Sequence, residues 1–308
     1  MIACFDIGGS AIKAAAARSP SDIETVGALP TPLHDFDAFA GVLETLMEKG
    51  GMPGGSAVAI SIAGVVDPAD GRIKVANIPC LDGRTLAHDL SEKLGRAVTV
   101  ANDADCFALA EAVEGAGRGH CIVFGVILGT GVGGGLVIDG RPVQGAGGYA
   151  GEWGHAPVAA TRAGDPPAEI PRFPCGCGQK GCVDAVGGAR GLEKLHRHLH
   201  GLDLSSKAII DGFESGEPEA VRTVEILVDL LASPLALVVN VVGADIVPVG
   251  GGLSNSRMLI ERLDEAVRGR ILRKTTAPLV VQAQCRIEPG LIGAAILGLG
   301  EEAHGTAA

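Results

Sequence analysis

The stretch FDIGGSAIK, residues 5–13, places Gly8, Gly9 and Ser10 directly after a strand-like run that ends near Asp6. Glycine has no Cβ, so the backbone amides of such a turn can closely approach a phosphate group. Most turns of this kind serve folding alone, and the spacing matches neither the Walker pattern nor the dinucleotide fingerprint. Taken alone, residues 8–10 leave a plain turn and a phosphate-binding turn both open.

Two further glycine turns favour phosphate binding. GTGVGGG, residues 129–135, follows the apolar run CIVFGVIL, and VPVGGGLS, residues 247–254, follows ADIVPV. A glycine in regular structure costs about 0.5–1 kcal/mol relative to alanine, so three strand-terminal glycine turns are hard to attribute to folding alone. The sequence therefore predicts nucleotide-binding residues in all three turns: Gly8, Gly9 and Ser10; Gly129, Thr130 and Gly131; and Gly250, Gly251 and Gly252.

The segments around the turns predict an α/β protein. The strand-like IACFDI precedes a helix-like alanine run, AIKAAAA, which is followed by a helix over residues 37–48 and a buried strand, SAVAISIAG. A chain of 308 residues exceeds the usual size of one core, and the first two turns lie about 120 residues apart, so we expect two related lobes. We predict a first lobe at residues 1–100, completed by a C-terminal helix at 290–308, and a second lobe at 101–289.

Composition limits the partners. A formal net charge of −11, with 47% hydrophobic and 20% charged residues, indicates a compact globular protein without a nucleic-acid partner. The apolar run ILVDLLASPLALVVNVVG, residues 226–243, contains Asp229, Ser233, Pro234 and Asn240, which indicates a buried helix rather than a membrane span. The first residues lack the features of a secretory signal, so we expect a cytoplasmic protein with reduced cysteines.

A metal site is predicted near the middle of the chain. Cys175, Cys177 and Cys182 are spaced C-x-C-x₄-C, and such a cluster in the cytoplasm indicates metal binding rather than a disulfide. Zinc favours four tetrahedral ligands, and His155 is a nearby fourth. A histidine is more often an ordinary surface or core residue, but three cysteines without a partner favour ligation. Four protein ligands leave no open position, so this Zn²⁺ would be structural.

These motifs together resemble the ROK family of repressors, uncharacterised frames and sugar kinases. DIGGS (6–10) is similar to its first phosphate loop, LGTGVGGG (128–135) to its second and VGGGLS (249–254) to its adenosine loop. GEWGH (151–155) and CGCGQKGC (175–182) resemble its signature and its zinc segment. The resemblance implies a two-lobed actin-like, hexokinase-like (ribonuclease H-like) ATPase fold with a zinc knuckle at 155–182, ATP and Mg²⁺ as cofactors, and a homodimer.

The resemblance also implies residue roles. Asp103 would be the general base that takes a proton from a sugar hydroxyl, and Asn102 would position the ring; capping of a helix is the alternative for Asp103. Asp6 would hold Mg²⁺ through water. Asn77 would contact the sugar, or equally serve as a turn residue before Pro79.

The zinc segment and its surroundings would complete the sugar site. His155 would bind Zn²⁺ through one ring nitrogen and a sugar hydroxyl through the other, Glu152 would accept a hydrogen bond from another hydroxyl, and Trp153 would serve packing. Asp184 stands where the family usually has a sugar-binding glutamate, and its carboxylate is shorter by one methylene. Ser10 and Ala11 also depart from the family's first loop, where threonine and lysine are common.

The function implied is an ATP-dependent kinase acting on the 6-hydroxyl of a hexose. VANIPCLDGRTLAHDL (75–90) and NDADCFALAEA (102–112) are most similar to N-acetylglucosamine kinases, and the small residues Ala63 and Gly64 could leave room for a 2-acetamido group. Glucose, fructose and N-acetylmannosamine are the alternative substrates. A sugar-binding regulator would carry an N-terminal DNA-binding domain, whereas here a strand begins at Ile2; a zinc hydrolase would need an open metal site.

Overall fold

The computed structural model of the chain describes residues 1–285 and 288–305. Contacts between Cα atoms divide the chain into two compact units. The first contains Met1–Glu114, Gly140–Ala150 and the residues from Cys285 onward; the second contains Gly115–Asp139 and Gly151–Gln284.

The elements up to residue 114 are β1 (Ile2–Ile7), β2 (Ala11–Ser19), β3 (Asp22–Pro30), α1 (Phe36–Lys49), β4 (Val58–Ile62), β5 (Val65–Val66), β6 (Ile73–Lys74), α2 (Leu86–Leu94), β7 (Val98–Asn102) and α3 (Asp103–Glu114). The later elements are β8 (Ile122–Leu128), β9 (Val132–Ile138), β10 (Arg141–Pro142), β11 (Arg162–Ala163), β12 (Ala168–Glu169), α4 (Asp184–Gly187), α5 (Ala189–His200), α6 (Ser206–Ser215), α7 (Pro218–Val242), β13 (Val247–Gly250), α8 (Arg257–Arg268), β14 (Val280–Gln282) and α9 (Pro289–Gly305).

The first unit is built on a five-stranded sheet in the order β3-β2-β1-β4-β7. β2 pairs antiparallel with β1 and β3, while β1, β4 and β7 are parallel. One face carries α1 and α2 over a core that includes Phe5, Phe39 and Ile60; the other packs against α9 around Ile2 and Leu291. Polar residues at the ends of β1 and β7 are thereby fixed by a sheet that is covered on both faces.

The alanine run that the sequence predicts as helix-like is a strand, and that prediction is wrong. Residues 11–19 form β2, whose alternating side chains enter two different cores: Ala14 and Ala16 face the core under α1, and Ala15 and Ala17 face α9. Alanine favours helices in isolation, but pairing with strands on both sides and burial of both faces override that preference. The predicted helix at 37–48 and the strand in SAVAISIAG are confirmed as α1 and β4.

The second unit repeats part of this pattern. Its strands lie in the order β9-β8-β13-β14, with β9 antiparallel to β8 and with β8, β13 and β14 parallel. An antiparallel hairpin followed by parallel strands therefore occurs in both units, as the prediction of two related lobes of the ribonuclease H-like fold requires. Helices α4–α8 surround one core that includes Phe124, Leu231 and Val249.

Helix α7 forms much of that second core. It is long and apolar enough to cross a membrane by length and composition, but 56% of its most apolar window is buried inside the protein. Leu227, Leu231 and Leu235 are fully buried there. The prediction that the run at 226–243 is a buried helix is confirmed for this face of α7.

The units begin and end at residues other than the predicted limits of the lobes. Helix α3 packs on α9 and therefore belongs to the first unit, as do residues 140–150. The predicted C-terminal helix is present as α9; residues 306–308 of that prediction, and residues 286–287 of the predicted second lobe, lie outside the described residues.

Candidate functional site

The first glycine turn joins β1 to β2 and is held by a neighbouring strand. The Gly8 amide donates to the Ala11 carbonyl at 3.0 Å, and the Thr31 hydroxyl, just after β3, donates to the Gly8 carbonyl at 2.7 Å. A Cβ on Gly9 would lie 3.2 Å from Asn77 Cβ, so these two predicted site residues are neighbours. Thr31 carries no sequence signal for this role, because the bond depends on sheet pairing.

Asp6, at the end of β1, is held by a buried serine. Ser61, on the adjacent strand β4, donates a 2.9 Å hydrogen bond to Asp6 Oδ1. Burial raises the pKa of the Asp6 carboxyl, while the Ser61 hydrogen bond and the charge of Lys13 act in the opposite direction. An ionised carboxylate can accept further bonds at Oδ2, and carboxylate oxygens suit Mg²⁺. Asp6 therefore fits the predicted contact with hydrated Mg²⁺.

Asn102, rather than Asp103, caps helix α3. Asn102 Oδ1 accepts hydrogen bonds from the amides of Ala104 and Asp105, at 2.7 and 3.2 Å, which satisfy the open donors at a helix start. Its Nδ2 donates to the Gly64 carbonyl at 2.9 Å. The N-cap is therefore Asn102, and Asp103 provides a further acceptor in the first turn. Asp103 is the first helical residue, half-buried, with Oδ1 3.0 Å from the Ala104 amide.

The space beside Gly64 is already filled. A Cβ at this position would lie 2.9 Å from the Lys74 carbonyl oxygen and 3.2 Å from Val75 Cβ. Close contact between two backbone segments therefore accounts for the glycine. The missing side chain of Gly64 therefore leaves no room for an acetamido group, contrary to the prediction, although Gly64 lies beside Asn102.

The second glycine turn, between β8 and β9, is fixed at both ends. The Ala189 amide, at the start of α5, donates to the Gly129 carbonyl at 2.8 Å. At the other end, the Val132 amide donates to Asp184 Oδ1 at 2.8 Å. A Cβ on Gly131 would lie 2.2 Å from that oxygen, so a side chain here would displace the Asp184 carboxylate. Asp184 thus contacts the predicted phosphate turn.

The second and third turns line one cavity in the second unit. Gly129 and Thr130 face it from one side, and Gly252, two residues after β13, faces it together with Leu253, Asn255 and Ser256. Helix α6 closes the cavity with Ser206, Lys207, Ile210, Asp211 and Glu214. Its volume of about 670 Å³ lies in the range of small-molecule sites. Helix α6 carries no sequence signal for this role, because nothing local distinguishes it from an ordinary amphipathic helix.

The predicted metal ligands come together. One ligand atom from each of His155, Cys175, Cys177 and Cys182 lies within 4.8 Å of all the others. Cys175 Sγ is 3.5 Å from His155 Nδ1, and Cys177 Sγ is 3.6 Å from Cys182 Sγ. Three sulfurs and one imidazole nitrogen at these separations match the donor set and size of a closed tetrahedral zinc site.

The thiols of the knuckle differ in their surroundings. The Gln179 backbone amide donates toward Cys177 and lowers the pKa of that thiol to about 7, whereas burial raises the pKa of Cys175 to about 12. A divalent cation would hold both as thiolates. The knuckle backbone is closed by a 2.9 Å hydrogen bond from the Cys175 amide to the Gln179 carbonyl, so the spacing C-x-C-x₄-C follows from a tight turn.

Glu152 and Trp153 flank the fourth ligand. Since His155 Nδ1 faces the cysteines, its Nε2 is directed away from them and lies 3.6 Å from Glu152 Oε2. This separation is longer than a hydrogen bond, but it places beside the imidazole a carboxylate, the group that commonly orients metal-binding histidines. Trp153 Nε1 donates to the Gly133 carbonyl at 3.0 Å and the indole packs edge-on against Phe124. The prediction that Trp153 serves packing is confirmed.

Comparison with known proteins agrees with this geometry. A family model described as "ROK family" matches residues 2–301. The chain is 38% identical to the N-acetylgalactosamine kinase AgaK of Shewanella sp. strain ANA-3 over 97% of each chain. It is 36% identical to the N-acetyl-D-glucosamine kinase of Pectobacterium atrosepticum, over 96% of this chain and 98% of the relative.

Solved structures with the same fold are also similar over their full length. A ROK hexokinase from Thermus thermophilus superposes with a TM-score of 0.81 at 28% identity, covering 98% of this chain and 99% of that one. A ROK family glucokinase from Streptomyces griseus, solved with glucose and AMPPNP, gives a TM-score of 0.75 at 26% identity, covering 96% and 98%.

Proposed function

The chain belongs to the ROK family, and we propose that it is an ATP-dependent kinase that phosphorylates the 6-hydroxyl group of N-acetyl-D-glucosamine. One observation carries the nucleotide part of the proposal: two glycine turns far apart in sequence line a single cavity of about 670 Å³. Backbone amides at such turns suit phosphate groups, and the apolar side chains of Ile210 and Leu253 in the cavity lining suit a nucleoside. Relatives that are named N-acetyl-D-glucosamine kinases support this sugar as the acceptor.

In the proposed reaction the sugar 6-oxygen attacks the γ-phosphorus of ATP, and the bond from that phosphorus to the β–γ bridging oxygen breaks, releasing ADP. The Asp103 carboxylate takes the proton of the 6-hydroxyl as the new P–O bond forms. Asn102 fixes Asp103 at the start of α3, and the Gly8–Ser10 and Gly129–Gly131 turns bind phosphate oxygens. Mg²⁺, when bound near Asp6, would neutralise charge on the phosphates.

The remaining predicted residues are assigned to the sugar. We propose that Glu152 accepts a hydrogen bond from one hydroxyl and that Asn77, Gly64 and Asn102 contact the ring. His155 would hold structural Zn²⁺ through Nδ1, with Cys175, Cys177 and Cys182, and present Nε2 beside Glu152. The zinc thereby orients two sugar-binding side chains without taking part in the chemistry.

N-acetylgalactosamine is a second candidate acceptor. It differs from N-acetylglucosamine only in the configuration at carbon 4, and the relative at 38% identity is named for it, whereas several at 36% are named N-acetyl-D-glucosamine kinases. Both sugars carry the 2-acetamido group. The proposal therefore assigns an N-acetylhexosamine first and the 4-epimer second.

We also propose that the protein is a cytoplasmic homodimer. Leu237 and Val241, one turn apart on α7, are 63% and 75% exposed, and Leu272 beside them is 86% exposed. Asp229, earlier on α7, pairs with Arg270, and Asp245, just after α7, pairs with Arg273. An apolar patch whose neighbouring charges are paired within the chain suits contact with an identical surface. Although each copy has a net charge of −11, such a contact would not place unpaired acidic groups of two copies against each other.

The experiment that tests the proposed function measures ADP release from Mg·ATP by the purified protein with N-acetylglucosamine, followed by detection of the sugar 6-phosphate. We expect sugar-dependent ADP release. A sugar-binding regulator would bind the sugar and release no ADP. A zinc hydrolase would form neither ADP nor sugar 6-phosphate in a sugar-dependent manner. Either outcome would overturn the proposal.

A further inference from the structure

Asp184 occupies a fixed place between the cysteine knuckle and the second glycine turn. It lies two residues after Cys182 and begins the short helix α4. Its backbone amide donates to the Gly154 carbonyl at 2.9 Å, next to His155. The backbone of Asp184 is therefore held on both sides by segments that carry metal ligands.

Both carboxylate oxygens of Asp184 have neighbours inside the second unit. Oδ1 accepts the 2.8 Å hydrogen bond from the Val132 amide, and Oδ2 lies 3.4 Å from Cys175 Sγ. A hydrogen bond to an ionised carboxylate is stronger than a neutral one. The bond from Val132 uses Oδ1 of this side chain for structure, at the position where the family resemblance implies a sugar contact.

The Val132 amide is the point at which the second turn enters β9. The Gly129 carbonyl accepts from Ala189 and the Gly131 carbonyl accepts from the Gly129 amide, so the Asp184 bond adds a side-chain contact at the amide that follows Gly129–Gly131. Gly131 lies directly against the carboxylate, since a Cβ there would be 2.2 Å from Oδ1. Any displacement of this carboxylate would move the amides that are proposed to bind phosphate.

The length of the side chain matters for this contact. With the backbone held by the Gly154 bond, a glutamate would carry its carboxylate one methylene farther, past the Val132 amide. The shorter aspartate and the closely packed Gly131 fit each other. This chain therefore uses the position differently from the sugar-binding glutamate that the resemblance implies.

We infer that Asp184 is a positioning residue for the nucleotide: it fixes the second glycine turn in the conformation that binds phosphate and does not contact the sugar. The inference rests on the proposed function, because it assumes that this turn binds ATP. It replaces the predicted sugar contact of Asp184 with a role in nucleotide affinity.

The test is calorimetric titration of the metal-loaded protein with Mg·ADP and, separately, with N-acetylglucosamine. We compare wild type with Asp184→Ala, Asp184→Asn and Asp184→Glu, and use Asp203→Ala as a control, because that aspartate forms only a surface ion pair with Arg197. Losing the charge-assisted bond to the Val132 amide should weaken Mg·ADP binding about tenfold in Asp184→Ala, which corresponds to about 1.4 kcal/mol. The affinity for N-acetylglucosamine should stay within about twofold, which is roughly 0.4 kcal/mol.

The conservative variants keep the inference testable if Asp184→Ala fails to fold. Asp184→Asn retains an oxygen acceptor for the Val132 amide and should bind Mg·ADP nearly as well as wild type, whereas Asp184→Glu should bind it more weakly. Unchanged Mg·ADP affinity in Asp184→Glu together with altered sugar affinity would overturn the inference. If wild type binds no Mg·ADP, the proposed function fails and the inference fails with it.

Discussion

The side chain of Asn102 joins the start of α3 to Gly64: its Nδ2 donates to the Gly64 carbonyl at 2.9 Å while its Oδ1 caps the helix. The residue that follows is Asp103, the proposed base. A single amide therefore fixes the position from which the base acts and also ties that position to the segment after β4.

Substitutions of Asn102 should lower stability according to how many of its hydrogen bonds they remove. Asn102→Ala loses the cap and the bond to Gly64, and should reduce the free energy of unfolding by about 1–2 kcal/mol. Asn102→Asp keeps an oxygen acceptor for the cap and loses only the donor, so its loss should be smaller. Urea denaturation measures both; an Asn102→Ala variant as stable as wild type would contradict the capping role.

Asp103→Asn should nearly abolish phosphorylation while sugar binding persists. The amide keeps the shape and the oxygen that faces the Ala104 amide, but it cannot take a proton. A positioned base contributes about 10²–10⁴ in rate, so kcat should fall by that range. Steady-state kinetics and sugar titration measure the two effects; turnover within about tenfold of wild type would refute the assignment of the base.

Freshly purified protein should contain one zinc ion per chain. Cys182 is fully buried in the ligand cluster, so Cys182→Ser should lower zinc content and also sugar affinity, because His155 and Glu152 lose their support. Cys121→Ser, at an exposed cysteine outside the cluster, is the matched control. Elemental analysis measures the metal; full activity after verified zinc removal would count against a structural role.

The preferred acceptor should be N-acetylglucosamine, with N-acetylgalactosamine second. The measurement is kcat/KM for these two sugars and for glucose, fructose and N-acetylmannosamine. A site that hydrogen-bonds a particular hydroxyl strongly rejects an analogue that leaves its polar groups unpaired. If N-acetylgalactosamine has the higher kcat/KM, the 4-epimer is the preferred substrate. A higher kcat/KM for glucose, fructose or N-acetylmannosamine would overturn the proposed acceptor, while the assignment as a sugar kinase would stand.

Val241→Glu should convert the dimer to a monomer. A charge at this 75% exposed position would be buried without a partner if two copies meet at Leu237, Val241 and Leu272. Leu202→Glu introduces the same charge at an exposed leucine outside this surface and should leave the dimer intact. Sedimentation velocity measures the mass. A wild-type monomer, or a dimer that tolerates Val241→Glu, would exclude this interface.

Local patterns allowed much of the fold and site to be predicted. The spacing of Cys175, Cys177 and Cys182 specifies a turn that brings thiols together, and the glycine turns mark strand ends. The strand β2 was hidden because its alanines favour a helix until β1 and β3 pair with them. Asp184 and Val132 are 52 residues apart, so their bond has no local signature. The bond from Asn102 to Gly64 crosses 38 residues and likewise has no local signature.

The last helix of the chain covers a face of the first sheet, and this has a consequence for biosynthesis. On the ribosome, β1, β2 and β4 emerge early, but Ile2, Cys4 and Ala59 can be buried only when α9 follows, after the whole second unit has been made. Domains usually fold in order as they emerge. Here the N-terminal unit keeps an apolar face exposed, accessible to chaperones, during most of synthesis. Its folding can be completed only after residues 289–305 have been translated.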